Sequence, residues 1–108
     1  MKALEMMWTA WTPAQDLNKQ FTDEHFEDLL DRQIEEIFDH TDNNNTSGRL
    51  NEMIDIMSIA MNWIRQSGVQ EFAEFEKIMY ARVLNRYLNQ TQAIVKRDIV
   101  EYNWELYQ

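Results

Sequence analysis

The apolar residues of this chain recur every three or four positions, which is the spacing of one face of an α-helix. The first stripe predicts a short N-terminal helix ending at Thr12-Pro13, and it consists of Met1, Leu4, Trp8 and Trp11. Thr12, with Pro13 next and Gln15 three positions on, is typical of a capping box that opens a new helix.

A longer stripe follows Thr22, which is suited to be an N-cap because Asp23 and Glu24 then occupy a first helical turn, where acidic side chains are favoured. The stripe predicts a helix to about His40 and comprises Phe26, Leu29, Leu30, Ile34, Ile37 and Phe38. The turn-forming run from Thr41 to Gly48 then predicts a loop.

A very apolar helix is expected from about Arg49 to Gln66, with Ser67-Gly68 as its C-terminal stop. Its polar exceptions between Met53 and Ile64 form one narrow line: Asp55, Ser58 and Asn62. Another helix is expected to end near Gln90, on a stripe of Phe72, Phe75, Met79, Val83 and Tyr87. Thr91 is suited to cap the last helix, whose stripe is Val95, Ile99, Tyr102 and Leu106.

These elements predict an all-α fold: a four-helix-type bundle with a short N-terminal leader helix, in one domain over residues 1–108. Composition agrees, because 2 glycines and 1 proline are too few for the many turns of an all-β fold. There is no cysteine, which excludes disulfides and thiolate metal sites. No apolar run has the length of a membrane span, so no membrane partner is expected and a cytoplasmic location is the default expectation.

The charge of the chain bears on its partners. With 19 acidic and 10 basic residues the net charge is −9. Binding to polymeric nucleic acid draws its affinity from Lys and Arg, so no such partner is expected. An anionic ligand would need a cation to bridge it to the protein.

Acidic residues three apart share a helix face, but in so acidic a chain most such pairs indicate a solvated surface. Two pairs differ, because Glu36/Asp39 precedes the predicted loop and Glu52/Asp55 follows it. Antiparallel packing of the two helices would bring these four carboxylates together, with Glu35 beside them. Asp55 lies in the most apolar helix and is expected to be buried, where a carboxylate needs a partner or a metal. Oxygen ligands without His or Cys suit Mg²⁺ or Mn²⁺.

The run Glu35-Glu36-Ile37-Phe38-Asp39, followed after twelve residues by Glu52-Met53-Ile54-Asp55, resembles the EExxE…ExxD signature of MazG-type nucleoside triphosphate pyrophosphohydrolases. Gly68 and the later run Val83-Leu84-Asn85-Arg86-Tyr87 extend the resemblance to about residues 35–87. Asp39 stands where the family has Glu, and Phe38 where it usually has a small residue.

The resemblance implies an all-α homodimer or homotetramer that hydrolyses a nucleoside triphosphate to the monophosphate and pyrophosphate. It implies that Mg²⁺, or Mn²⁺ in its place, is held by Glu36, Asp39, Glu52 and Asp55. By the same analogy Glu35 is an additional ligand or the base that activates water, and Asn85 and Arg86 contact phosphate. All four tryptophans are expected in core or subunit contacts: Trp8, Trp11, Trp63 and Trp104. The alternative is that one of them stacks on a base, and Trp63 is the best placed because it shares the helix of Asp55.

Two other interpretations stay open. The helix–loop–helix around Asn43 has Gly48 at the sixth position of an EF-hand count, but the twelfth position is Ile54 rather than the bidentate Glu. The second is a small acidic helical interaction or inhibitor protein, of phage or mobile-element type, that docks on a basic surface or imitates nucleic acid. Residues 23–42 support it, since they carry nine acids against Arg32. Convergence of acids from two helices favours the enzyme interpretation, and dispersal of acids over one convex face favours the interaction-protein interpretation.

His25 and His40 are expected to be exposed.

Overall fold

The computed structural model describes residues 2–88, apart from the side chain of Tyr87, and these residues form helices without strands. The all-α prediction is therefore confirmed. The elements are α1 (Lys2–Ala10), a 3-10 turn (Thr12–Ala14), α2 (Gln15–Asn18), α3 (Asp23–Asp42), α4 (Thr46–Gln66), α5 (Phe72–Arg82) and a π-helical stretch (Val83–Leu88). None of the described helices is long and apolar enough to span a membrane.

The chain divides into two compact units, residues 1–72 and 73–108. The centre of the first unit is an antiparallel hairpin of α3 and α4. Phe26, near the start of α3, stacks on Trp63, near the end of α4, with ring centroids 5.8 Å apart. At the other end of the hairpin, His40 lies 3.3 Å from Glu52. The second unit contains most of α5, in which Phe75 is buried. The prediction of one domain over the whole chain stays a prediction.

The N-terminal segment packs against the C-terminal half of α4 through polar anchors. Asn18, at the end of α2, donates from Nδ2 to Oδ1 of Asn62 at 2.9 Å, and both side chains are buried. Arg65, only 1% exposed, donates from Nη2 to the backbone carbonyl of Trp8 at 2.7 Å. Its guanidinium also lies 3.9 Å from the centre of the Trp8 ring. A cation at the C-terminal end of α1 is favoured there because the last carbonyls of a helix lack internal partners.

The predicted capping box at Thr12 is wrong. The 3-10 turn begins after Trp11, and no side chain caps it or the start of α2. The Thr12 hydroxyl instead donates back to the Trp8 carbonyl at 3.3 Å, so it helps to end α1. Leu4 and Trp8 are buried as the first stripe predicts, whereas Trp11 is exposed. Met1 lies outside the described residues.

The hairpin turn is shorter than the predicted loop. Helix α3 continues to Asp42, and α4 already begins at Thr46. Asn45 is the N-cap of α4, because its side-chain oxygen accepts a hydrogen bond from Gly48 N at 2.9 Å. This places Gly48 inside the first turn of the helix rather than in the loop. Asn44 has a φ of 54°, a left-handed conformation that asparagine tolerates better than most residues.

Several other helix ends agree with the sequence. Thr22 occupies the N-cap position of α3, although its side chain makes no capping bond. Helix α4 ends at Gln66, and Gly68 takes a φ of 114° just beyond it. The helix that begins at Phe72 changes to π-helical hydrogen bonding at Val83. Its expected end near Gln90 lies outside the described residues, as do the cap at Thr91, the stripe Val95, Ile99, Tyr102 and Leu106, and Trp104.

Candidate functional site at the turn of the α3–α4 hairpin

The turn end of the hairpin brings three of the four predicted carboxylates together. Glu36 on α3 is hydrogen-bonded through its side chain to Glu52 on α4, and Asp55 is close enough to act on Glu36 electrostatically. Gln33, one turn before Glu36, donates from Nε2 to Asp55 Oδ2 at 3.3 Å. Helices α3 and α4 therefore each supply acidic groups to one cluster, which we call the carboxylate cluster: Glu36, Glu52 and Asp55.

The neighbouring carboxylates raise the pKa of Glu36. The largest cause is the hydrogen bond with Glu52, which favours a protonated Glu36, followed by desolvation and then by repulsion from Glu52 and Asp55. His40 acts in the opposite direction. A hydrogen bond between two carboxyl groups needs a proton, so Glu36 holds a proton more tightly than an isolated glutamate does.

A second layer of contacts fixes Glu52. Nε2 of His40 lies 3.3 Å from Glu52 Oε1, and the other ring nitrogen, Nδ1, lies 3.2 Å from Asn45 Nδ2. Gly48 makes room for this arrangement: a Cβ at that position would lie 2.7 Å from His40 Nδ1 and 2.5 Å from Asn45 Nδ2. The N-cap of α4 and the carboxylate cluster are thus parts of one hydrogen-bonded network.

The prediction that Asp55 is buried is wrong. Its side chain is exposed, as are those of Glu36 and Asp39, while Glu52 is half-buried. The buried polar residues of this apolar helix are instead Asn62 and Arg65, which lie against α2 and α1. Asp55 therefore needs no metal to offset burial, and its environment gives no support for a cation.

The structure separates Glu35 and Asp39 from the closest contacts of the cluster. Two residues after the α4-facing Gln33, Glu35 is rotated by about 200° and is exposed on the side of α3 turned away from α4. Asp39 is one turn beyond Glu36 on a neighbouring part of the helix surface, and its backbone carbonyl accepts a hydrogen bond from Asn43 Nδ2 at 2.8 Å. The roles of Glu35 and Asp39 stay predictions.

The donor set suits a weakly held hard cation better than a tightly caged one. Within residues 2–88, no group of three or more His, Cys, Asp or Glu side chains is arranged to hold a metal ion. Mg²⁺ commonly keeps several waters and binds through one or two carboxylates together with substrate phosphates. Glu36 and Glu52 are the two carboxylates that could hold such a cation.

The three predicted substrate-binding residues lie away from the carboxylate cluster or in the other unit. Trp63 is eight residues beyond Asp55, about 12 Å along the helix axis. One face of its ring stacks on Phe26, and its Nε1 donates to Asp23 Oδ1 at 2.8 Å, so Trp63 is part of the hairpin core. Asn85 and Arg86 lie in the π-helical stretch of the second unit, where Asn85 is exposed and Arg86 half-buried.

Sequence reasoning missed the supporting side chains Gln33 and Asn45, and it was wrong about both histidines. His25 is half-buried and stacks on Phe21, with ring centroids 3.8 Å apart, and His40 is half-buried beside Glu52. A signal for His40 was present, since it lies four residues after Glu36 and so shares its helix face.

The nine acidic residues of α3 are all exposed: Asp23, Glu24, Glu27, Asp28, Asp31, Glu35, Glu36, Asp39 and Asp42. The structure therefore combines convergence at Glu36 with dispersal over the rest of α3. No protein-family model, curated protein or solved structure matches this chain, so the carboxylate cluster and the exposed surface of α3 are the features from which a function must be inferred.

Proposed function

We propose that this protein is a nucleoside triphosphate pyrophosphohydrolase that uses Mg²⁺ or Mn²⁺ at the turn end of the α3–α4 hairpin. The observation that carries the proposal is the hydrogen-bonded pair of Glu36 and Glu52, with Asp55 close by. These three residues belong to the two motifs that resemble the MazG signature, and they come from different helices. A divalent cation bound between them would relieve the repulsion that Glu36 experiences from Glu52 and Asp55.

In this proposal Glu36 and Glu52 hold the cation, and Asp55 and Asp39 add negative charge around it. His40 orients Glu52, as residues that contact metal ligands commonly do, and Gln33 orients Asp55. A cation held there would supply positive charge for the phosphates and Lewis-acid chemistry for the attack of water on the α-phosphorus, with pyrophosphate as the leaving group. Glu35 as base and Asn85 and Arg86 as phosphate contacts stay predictions from the resemblance.

The decisive experiment measures pyrophosphate release from a panel of standard and modified nucleoside triphosphates, with Mg²⁺ and with Mn²⁺. Glu52→Gln should lower turnover at least about a hundredfold, because it removes a charged ligand while keeping the shape of the side chain. Glu27→Gln is the matched control, since Glu27 is an exposed acid of α3 outside the cluster. Mn²⁺ binding, followed by electron paramagnetic resonance, should weaken in parallel for Glu52→Gln only. Folded wild-type protein that neither binds Mn²⁺ nor turns over any substrate would exclude the proposal.

The resemblance also implies a homodimer or homotetramer. Sedimentation equilibrium of the wild-type chain tests this separately from activity, with a mass of 26 or 52 kDa expected from twice or four times 13.1 kDa.

A second function, binding of a basic partner, is favoured by the exposure of all nine acids on α3. Partner binding and nucleotide hydrolysis can use different residues. Of the nine acids, only Glu36 belongs to the carboxylate cluster.

A further inference from the structure

The α3–α4 hairpin has two broad sides, and its helical geometry assigns each residue to one of them. Successive residues of a helix are rotated by about 100°. Counted from the α4-facing Gln33, Ile34 is rotated about 100° to one side, whereas Glu36 lies about 60° to the other. Counted from the α3-facing Glu52, Met53 is rotated in the sense of Ile34 and Asp55 in the sense of Glu36. In an antiparallel pair, rotations of the same sense point to the same side, and the electrostatic contact of Glu36 with Asp55 agrees with this.

The side that carries the carboxylate cluster also carries α2. Asn62 is rotated about 80° from the direction of Glu52, in the same sense as Asp55, and it holds Asn18 of α2. The opposite side is apolar and uncovered within residues 2–72. We call it the open face, and it consists of Leu30, Ile34, Phe38, Met53 and Met57.

Large apolar side chains of the open face are exposed to solvent. Phe38 is 62% exposed, and Ile34 and Met57 are each 45% exposed, while Leu30 and Met53 are half-buried between them. Exposed apolar surface shared by two adjacent helices is the type of surface that binds a third helix. Methionine suits such a surface because its side chain adapts to different partners.

The charges that border the open face indicate which kind of helix it would bind. Asp31 lies one turn before Ile34, and Glu27 two turns before it, so both exposed acids border the apolar residues on the α3 edge. Helices α3 and α4 contain three basic residues, Arg32, Arg49 and Arg65. Of these, Arg49 alone is on this side, and it is half-buried. A second copy of the chain would place Asp31 and Glu27 against another acidic surface, in a protein of net charge −9.

We propose that the open face binds a basic amphipathic helix of another protein. The apolar stripe of that helix packs on Ile34, Phe38, Met53 and Met57, and Lys or Arg residues beside the stripe pair with Glu27 and Asp31. Electrostatic complementarity speeds association and selects the partner, while the apolar contacts supply most of the affinity. The proposal does not depend on nucleotide hydrolysis, because the carboxylate cluster lies on the other side of the hairpin.

The test uses a synthetic helical peptide with leucines at heptad spacing and lysines beside them, and a matched peptide with glutamates in place of the lysines. Binding is measured by calorimetry at low and at moderate salt, and the contact site is mapped by amide chemical-shift changes. The lysine peptide should bind and shift amides of the open face, whereas the glutamate peptide should not bind.

Variants separate the open face from general attraction to an acidic protein. Ile34→Ser/Met57→Ser should weaken binding at least about tenfold, as loss of central apolar contacts does. Leu17→Ser is its control, because Leu17 is 53% exposed but lies on α2. Asp31→Lys should also weaken binding about tenfold, whereas Asp16→Lys, the same charge change at an exposed position of α2, should have little effect. Circular dichroism checks that each variant is folded.

Three outcomes would overturn the proposal. Equal losses for Asp31→Lys and Asp16→Lys would mean that the peptide responds only to net charge. Absence of binding by the lysine peptide to folded wild-type protein would mean that the open face does not accept a basic helix. A wild-type dimer that Ile34→Ser/Met57→Ser converts to monomer would identify a second copy of the chain as the occupant.

Discussion

At the scale of single residues, the carboxyl pair of Glu36 and Glu52 combines two properties that rarely occur together on a surface. Each group is negatively charged in isolation, yet the side chains are hydrogen-bonded, which raises the pKa of Glu36. A proton on Glu36 therefore stabilises the folded chain, and in the function proposed above a divalent cation would take its place. His40 and Asn45 hold Glu52 and the start of α4 in position, so the pair is tied to the cap of a helix.

The raised pKa of Glu36 predicts a pH-dependent stability in metal-free buffer. Because protonation is easier in the folded state, the contribution of Glu36 is fully present below the ordinary value of 4.5 and is lost as the pH rises through the raised pKa. Glu36→Gln, whose amide donates to Glu52 at every pH, should match the wild type at pH 4 and exceed its stability at pH 7. Urea unfolding at the two pH values checks this, with Glu35→Gln as the control, and identical pH dependence of wild type and Glu36→Gln would contradict it.

At the scale of elements, one buried cation on α4, Arg65, holds the end of α1. Arg65 has no acidic partner in the described residues; the Trp8 carbonyl and the Trp8 ring surround its guanidinium, and burial lowers its pKa. The Thr12 hydroxyl lies 3.4 Å from the same Nη2. A short helix of nine residues would be marginal alone, so this packing is what maintains α1.

Removal of the Arg65 side chain should therefore be costly. Arg65→Ala deletes the hydrogen bond and ring contact and leaves a cavity, which should lower the free energy of unfolding by about 3 kcal/mol. Arg32→Ala, on the exposed surface of α3, should change it by less than about 0.5 kcal/mol. Both values are measured by urea unfolding. Loss of the near-ultraviolet circular dichroism of Trp8 separately reports the release of α1. A small effect at Arg65 equal to that at Arg32 would refute its role as an anchor.

At the scale of the whole molecule, negative charge is concentrated on α3 rather than spread evenly. Asp31 illustrates this, since the residues three and four positions before it, Asp28 and Glu27, and the residue four positions after it, Glu35, are all acidic. Like charges at these spacings repel one another and destabilise the helix. The concentration of acids on α3 therefore lowers the stability of the helix, which is a cost that a functional surface can carry.

Charge repulsion predicts that salt and charge reversal both stabilise the protein. Raising NaCl from about 0.01 M to about 0.3 M should increase the melting temperature by several degrees at pH 7, because the Debye length falls well below the spacing of distant charges. Asp31→Lys should raise the melting temperature at low salt, and less so at high salt. Asp16→Lys makes the same change in net charge beside Lys19, with which Asp16 forms an ion pair at 3.8 Å, so it should give no increase. Equal shifts for the two variants would show that net charge alone matters.

The sequence by itself determined the helices, because periodic apolar residues, an acidic first turn after Thr22 and the stop at Ser67-Gly68 are local features. It also indicated that acids on either side of one turn would meet, since a short connection makes neighbouring helices antiparallel. The tertiary structure alone decided which groups touch: Glu36 pairs with Glu52, Asp55 is exposed, and Arg65 rather than an acid is buried. Those outcomes depend on how each helix is rotated about its axis and on what α1 and α2 cover, which are consequences of packing between segments distant in the chain.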